Sequence, residues 1–477
     1  MIYDVAIIGA GVVGGLTARQ LSRYKLSVCL IEAGCDVALG ATKANSAIVH
    51  GGYDPVPGTL KAELNVKGTA MMEKLCEELE VHYKNNGSMV VAFDEEQLEH
   101  VKKLYQRGIA NGVPGLSVIS GDRAREIEPA LSKNIAGALL CESSGIVCPY
   151  DLTIAAVGNA MDNGADLALG FKVVDIKDNG ENYEICSDDG AKIQARYVVN
   201  SAGLYSDEVA RMLGDEYHIT AKKGEYMLLD KSEGGLVKKT IFQTPTKAGK
   251  GILVSPTVDG NLLVGPTSEK TDKGDKATTP GGLDTIKEKA SMSADNINYR
   301  AVITSFTGLR ASCDESDDFI LEISKHSKRA INAVGIDSPG LSSSPAIAEY
   351  IAQLLSDAGL KLEENADFCG RRVNCKHFRT LSEAEKNEMI KKEPSYGRVI
   401  CRCETVTEGE ILEAIRQNPK ATTIDGVKRR TRAGMGRCQG GFCMPFVTDI
   451  IAKELKIARC QVTKTGGKSR LLFGKTK

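Results

Sequence analysis

The first 32 residues alternate unbroken apolar runs with glycines and polar stops. Asp4-Val5-Ala6-Ile7-Ile8 has the length and uniform apolarity of a strand covered on both faces, as in a parallel sheet between helices. Gly9-Ala10-Gly11-Val12-Val13-Gly14 follows, and apolar residues then recur at helical spacing to about Tyr24. Ser27-Val28-Cys29-Leu30-Ile31 reads as a second buried strand, closing on Glu32. Strand, glycine turn, helix, strand and acid, with the acid 18 residues past Gly14, predict a dinucleotide-binding unit. Gly9 permits the tight turn, Gly11 lets backbone approach a pyrophosphate, and Gly14 lets the helix close on the strand. The helix N-terminus favours phosphate charge, and Glu32 is placed to accept hydrogen bonds from a ribose diol.

Later runs extend the same layer. Tyr197-Val198-Val199-Asn200-Ser201-Ala202-Gly203 is an apolar strand ending in small residues that let a cofactor approach. Ala330–Gly335 is another, leading through the small-residue turn Ile336–Pro345 into a helix predicted over about Ala346–Leu355, a second helix N-terminus suited to an anion or carbonyl. Val81–Leu140 mixes short strands with charged helices. Ala221–Arg300 is strand-like with turns, and its Lys/Gly/Thr-rich stretch Glu269–Gly282 reads as a loop. These two segments are expected to form one substrate-covering domain inserted into the dinucleotide domain. Asn365–Ser395 reads as a polar linker. Beyond about Tyr396, short helices are predicted over Glu408–Gln417, behind a Thr407 cap, and over Phe446–Leu455.

Composition adds limits rather than a function. A chain of 477 residues is long for one domain; 42% hydrophobic and 26% charged residues are ordinary for a globular protein, and a net charge of −1 gives no argument for nucleic acid. The start Met1-Ile2-Tyr3-Asp4-Val5 carries no basic, apolar leader, and no apolar run approaches the ~20 residues of a membrane span. A cytoplasmic protein is expected, where 14 cysteines stay reduced and clusters of them point to metal or catalysis. The basic run Lys428-Arg429-Arg430-Thr431-Arg432 reads as a solvated surface; the alternative is a docking patch for an acidic redox partner. Most of the other cysteines read as buried small hydrophobes, and Cys369 and Cys375 are assigned no metal.

Four cysteines carry the chemistry of the tail. Cys401 and Cys403 stand one residue apart, Cys438 and Cys443 four apart, and 34 residues separate the pairs. Four thiolates in two tight pairs suit a tetrahedral sulfur site, either zinc or an iron–sulfur cluster.

Residues Gly9–Gly14 with Glu32, Gly40-Ala41-Thr42-Lys43-Ala44-Asn45-Ser46, Asn200–Gly203 and Gly335–Pro345 resemble the glycine oxidase/D-amino-acid oxidase class of flavoproteins. That class also holds flavin-linked glycerol-3-phosphate dehydrogenase and L-2-hydroxyglutarate oxidase, and the likeness spans about residues 1–365. Asn45–Tyr53 followed by Pro57–Lys61 looks like the hydroxyglutarate branch. The quartet resembles the small helical 2Fe–2S domain of bacterioferritin-associated ferredoxin, which also closes the catalytic subunit of the anaerobic glycerol-3-phosphate dehydrogenase; this likeness covers about residues 396–455.

The resemblance implies an α/β fold: a Rossmann-like FAD-binding domain with an inserted α+β substrate domain and a small helical C-terminal iron–sulfur domain. Residues 1–365 would be the oxidoreductase, with an FAD core at about 1–80, 141–220 and 301–365 and a substrate domain at about 81–140 and 221–300. A linker over 366–395 and a 2Fe–2S domain and tail over 396–477 would follow. For FAD, it implies Gly9, Gly11, Val12, Val13 and Gly14 at the pyrophosphate, and Glu32 and Ala33 at the ribose. Thr42, Asn45 and Ser46 would run along the flavin, with Val173 at the adenine. Ala202 and Gly203, and Gly335, Pro339, Gly340, Leu341 and Ser342, would complete the cradle. Cys401, Cys403, Cys438 and Cys443 would hold the 2Fe–2S cluster.

In this class a hydride passes from a carbon bearing OH or NH to the flavin while a base takes the heteroatom proton. Arg310, in Thr307-Gly308-Leu309-Arg310 after a strand over Ala301–Phe306, would bind the substrate's carboxylate or phosphate. His50 would be the base, and Lys223 and Tyr226, beside Glu225, further substrate-side residues. An oxidase needs no cluster, so the tail implies a dehydrogenase whose electrons leave one at a time to a partner protein or quinone-linked subunit. Such a protein would sit in the cytoplasm, peripheral to the membrane only through a partner, within an oligomer or hetero-complex. Glycerol 3-phosphate is the expected substrate, giving dihydroxyacetone phosphate. The alternatives are L-2-hydroxyglutarate or another 2-hydroxy or amino acid, and, in a different class, a non-catalytic electron-transfer subunit.

Overall fold

A computed structural model describes residues 1–244, 251–374 and 377–474 of the chain. Cys375 lies outside the described residues.

The apolar runs at the start of the chain form adjacent central strands. Ile2–Ile8 lies between Val28–Glu32 and Lys192–Asn200, all parallel, in an eight-stranded sheet. Its register aligns Ile8 with both Ile31 and Asn200, so Gly9, Glu32 and Ser201 emerge together at the C-terminal edge, where α/β sheets bind ligands. Ala330–Val334 joins this edge in parallel, pairing Asn332 with Asn200. Helices Val12–Leu21, Pro149–Asp162 and Gly340–Asp357 cover the sheet, burying Leu21, Val157, Ile351 and Leu355 against Val5, Ile7 and Val199.

Helix Gly340–Asp357 begins six residues before its predicted start at Ala346 and takes Pro345 into its interior. Proline cannot donate to the carbonyl four residues back. Here the Ser344 hydroxyl donates to that carbonyl, Leu341 O, at 2.7 Å. The small-residue turn is therefore the first turn of the helix itself.

Segments 81–140 and 221–300 contribute strands to one nine-stranded sheet, joined where Ser88–Ala92 runs parallel to Thr240–Gln243. Glu269–Thr271, read from sequence as part of a loop, is an edge strand of it, on Ala221–Lys223. Strand Val302–Cys313 differs from expectation. Placed with the FAD core by sequence, it pairs antiparallel with Ile219–Leu229 from end to end, and it continues past Phe306 so that Arg310 lies within it. Its mixture of polar and apolar residues fits an antiparallel strand with one open face rather than the apolar run of a buried parallel strand.

The segment 366–395 is not wholly irregular: Glu383–Lys392 is a helix opened by a Ser382–Glu385 capping box. The tail has its own core. A short hairpin, Val399–Cys401 with Val406–Thr407, and helices Glu408–Arg416, Ile424–Thr431 and Met444–Glu454 enclose Ile411, Ile415, Val427, Val447 and Ile451. No helix among the described residues is long and apolar enough to cross a membrane.

Candidate functional site

At the nucleotide end, the glycines are fixed by what surrounds them. Gly9 has φ +105° and lies against the Ser201 carbonyl and Ala202 Cα. A Cβ on Gly14 would overlap the Gly9 carbonyl oxygen, so the helix holding Val12 and Val13 packs on the turn only because residue 14 has none. Gly11 contributes no side-chain cap to that helix; instead the Val12 N–H donates to Thr42 Oγ1 at 3.0 Å. The other N–H groups of this first turn, with the small turn at Ala202-Gly203, form the helix N-terminus at which an anion would sit.

Glu32 closes the other side. Its carboxylate accepts from the N–H groups of Ala10 (3.0 Å) and Gly34 (2.8 Å), next to Ala33. Burial nonetheless raises its pKa. The chain passes this edge again where Phe171 N–H donates to Glu32 O, two residues before Val173. Gly14→Ala is expected to weaken FAD binding by about one to two orders of magnitude, the effect of an overpacking cost of ~1–3 kcal/mol. The ratio of flavin to protein absorbance after gel filtration measures it, and an unchanged ratio would remove this turn from the FAD site.

The loop from Thr42 to His50 crosses from this cradle to the second sheet. Asn45 locks it, donating to Thr42 O at 2.9 Å and accepting from Ala47 N–H at 2.8 Å. Ser46 Oγ meets the Tyr226 hydroxyl at 3.0 Å, and Tyr226 stacks on Phe306 with centroids 4.9 Å apart. His50 is clamped through its backbone: its N–H donates to Ser342 Oγ (2.8 Å), and its carbonyl accepts from Asn65 (2.7 Å) and Thr69 (2.6 Å). Its ring lies 5.5 Å from that of Phe242. Ser342 thus ties the loop to the first turn of helix Gly340–Asp357, whose start at Pro339-Gly340-Leu341 has no side-chain cap and follows Gly335 at φ +68°.

Strand register separates the substrate-side residues into two groups. Lys222 pairs directly with Arg310, Gly224 with Gly308 and Tyr226 with Phe306, so these six share one face. That face meets the loop, because a Cβ on Gly308 would overlap Ala44 O. Gly224 leaves room for the Arg310 guanidinium; a Cβ there would sit 3.1 Å from Arg310 Nη2. Lys223 points to the opposite face, where it pairs with Asp275 at 3.1 Å and Glu225 at 3.6 Å. Glu225 in turn receives the N–H and hydroxyl of Thr279 at the start of helix Pro280–Ser293. The register therefore puts Tyr226 and Arg310 on the face that meets the Thr42–His50 loop and leaves Lys223 on the other, while the His50 ring stands against Phe242. Lys222, one residue earlier, was missed by sequence reasoning, which had no register to tell the two lysines apart. Lys222 and Arg310 are each only partly exposed and pair with no carboxylate among the described residues.

In the tail, the thiols pair across the two sequence motifs. Cys403 and Cys438 approach to 3.7 Å, and Cys401 hydrogen-bonds with Cys443. That bond holds Cys401 down at about 6 and raises Cys443. The Phe442 N–H, with those of Gly440 and Gly441, lowers Cys438 against the effect of burial. Gly436 has no Cβ because Cys403 Cβ occupies that space. No three His, Cys, Asp or Glu side chains among the described residues converge on one point for a single ion. Two thiol pairs side by side suit a two-iron cluster, in which each iron takes two thiolates, better than one zinc.

The basic run is neither solvated nor a docking patch. Arg429, Arg430 and Arg432 are buried. Asp36, in the loop after Glu32, accepts from Arg429 (2.5 Å) and twice from Arg430 (2.9 and 2.8 Å). Arg432 donates to Asp259 (2.6 Å), Asn261 (3.1 Å) and Glu404 (2.8 Å). Charges that looked external from their neighbours in sequence are the clamp that holds the cluster unit against both larger sheets.

Comparison with known proteins agrees with this arrangement. Residues 4–354 match the family model described as FAD dependent oxidoreductase, and residues 399–453 match a BFD-like 2Fe-2S binding domain. The chain is 48% identical to a glycerol 3-phosphate dehydrogenase of Caloramator mitchellensis over 477 residues, 100% of this chain and 99% of that one. It is 29% identical to a glycerol 3-phosphate oxidase of Mycoplasma genitalium, over 76% of this chain and 97% of that one. Among solved structures, L-alpha-glycerophosphate oxidase from Mycoplasma pneumoniae with FAD bound superposes with a TM-score of 0.74 at 28% identity, covering 78% of this chain and 98% of that one.

Proposed function

The chain belongs to the FAD-dependent oxidoreductase family and carries a BFD-like 2Fe-2S domain, and from this premise we propose that it is a glycerol 3-phosphate dehydrogenase producing dihydroxyacetone phosphate. FAD supplies a hydride acceptor and the cluster an outlet for single electrons. The observation that carries the reading to a phosphorylated substrate is the pair of partly buried cations, Lys222 and Arg310, on the face that meets the Thr42–His50 loop. A phosphate dianion satisfies both, with the guanidinium fork gripping two oxygens and the ammonium a third.

The other residues orient and exchange a proton. His50, held at its backbone by Ser342, Asn65 and Thr69, takes the proton of the substrate's C2 hydroxyl as the C2 hydride departs. The Ser46–Tyr226 contact ties the loop that carries His50 to the sheet that carries Arg310. The uncapped start of helix Gly340–Asp357 would offer N–H groups to the polar edge of a bound flavin. Cys401, Cys403, Cys438 and Cys443 would hold the cluster, which would serve a redox partner protein or quinone-linked subunit.

The test is anaerobic bleaching of the flavin. Glycerol 3-phosphate should bleach it and yield dihydroxyacetone phosphate, while glycerol, lacking the phosphate, should not. Bleaching by L-2-hydroxyglutarate with none by glycerol 3-phosphate would overturn the assignment.

A further inference from the structure

The quartet shows one edge to water. Cys401 and Cys443 are buried, Cys438 is partly exposed and Cys403 is exposed. Two aromatic rings stand beside that edge: Phe442, next to Cys443, is 82% exposed, and Phe446, one helical turn on, is 48% exposed. Gly441 and Pro445 are exposed with them. Apolar rings left in solvent around a functional group mark an interaction site, because each would otherwise be buried for its own stabilisation. Phe442 has no packing role inside the tail, whose core is complete without it.

The acids nearest this edge are already paired, Asp230 with Arg437 and Asp449, three residues past Phe446, with Arg459. Arg402 precedes Cys403, is exposed and has no ion-pair partner among the described residues. Arg437 precedes Cys438 and stays exposed while pairing with Asp230 at 2.8 Å. The neighbouring carboxylate, Glu404, is buried and already held by Lys231, Arg379 and Arg432. We propose that Phe442, Pro445 and Phe446, flanked by Arg402 and Arg437, form the docking surface for an acidic one-electron carrier protein. The rings supply the water-excluding centre and the two arginines steer the partner onto the exposed thiol edge. This rests on the cluster domain and is independent of the substrate.

The probe is cytochrome c with its lysines succinylated, an acidic one-electron acceptor; unmodified cytochrome c is the basic control. The holoenzyme is photoreduced with a sacrificial tertiary amine as electron donor in place of glycerol 3-phosphate, so failure of the substrate assignment leaves this test intact. Each haem that turns ferrous takes one electron from the reduced cluster; as the flavin refills the cluster and returns to FAD, its proton passes to solvent. The acidic probe should bind the oxidised enzyme and be reduced faster than the basic one. Binding should weaken about ten-fold or more as salt rises from ~20 to ~200 mM. Arg402→Glu and Phe442→Ala should each raise its Kd about ten-fold at low salt, with flavin and cluster absorbance unchanged. Phe446→Ala gives a variant one turn further from the thiols, with a smaller effect in the same direction. Equal, salt-independent reaction of the two probes would overturn the proposal, as would variants that leave Kd unchanged. So would tighter binding of anionic vesicles through the same residues, which would make the face a membrane surface.

Discussion

Arg310→Ala should lower kcat/KM for glycerol 3-phosphate by about two to three orders of magnitude, with FAD content unchanged. Removing one side of a partly desolvated charge pair costs ~2–5 kcal/mol, and each 1.4 kcal/mol is ten-fold. The size follows from the surroundings: the guanidinium meets no carboxylate among the described residues, and Gly224 leaves it the space it occupies. Arg310→Lys should recover only part of the loss, since an ammonium replaces the fork with a point charge. Lys222→Met should raise KM about ten-fold, the smaller contribution of a single charge. Lys223→Met is the internal control, because its ammonium is engaged with Asp275 and Glu225 on the other face. It should leave KM within about two-fold, as expected for a side chain that never meets substrate. If Lys223→Met raises KM as much as Lys222→Met, the substrate lies on the wrong side of the strand in this account.

That contrast marks where the sequence stopped being legible. The dinucleotide turn was readable because most of its causes are local: Gly14 packs on Gly9 and Glu32 accepts from Ala10, between two adjacent strands whose apolar runs announce themselves, and only the Ser201-Ala202 contact of Gly9 comes from far along the chain. The cysteine quartet was readable for a similar reason, since metal chemistry restricts ligand type. The lysine pair was not, because a shift of one residue along a strand exchanges its faces and only the partner strand fixes which is which. The helix at Gly340 was misplaced by six residues because Pro345 reads as a stop; the hydroxyl of Ser344, which replaces the missing N–H, is a single contact with no signature of its own. The basic run failed most completely. Its counter-charge, Asp36, lies 393 residues from Arg429, and no local pattern shows a distant acid.

Asp36→Ala is therefore expected to destabilise the docking of the cluster unit by about 3–5 kcal/mol, the cost of breaking a buried ion pair from one side. Asp36 is buried and carries the hydrogen bonds of two buried guanidiniums; Arg430 keeps the carbonyls of Pro419 and Gly426 when it is lost, while the Nε of Arg429 already has no partner. Burial alone would raise the Asp36 pKa, yet Arg430 and Arg429 outweigh it and hold it below the ordinary value. A carboxylate with a depressed pKa contributes stability that is fully present above its unfolded pKa, ~4, and lost as pH falls through the folded value. The wild-type clamp should thus weaken only in strong acid, and Asp36→Asn at neutral pH should imitate that acid state. The measurement is thermal loss of cluster absorbance followed beside far-ultraviolet circular dichroism. In the wild type the cluster should survive until the large sheets unfold, because Asp36 and Asp259 hold the tail to both. In Asp36→Ala the cluster signal should fall first, at a lower temperature, while the two sheets melt near their original point. Coincident, unshifted transitions would mean that Arg432 with Asp259 and Glu404 holds the unit alone, and that the Asp36 pair contributes no net stability.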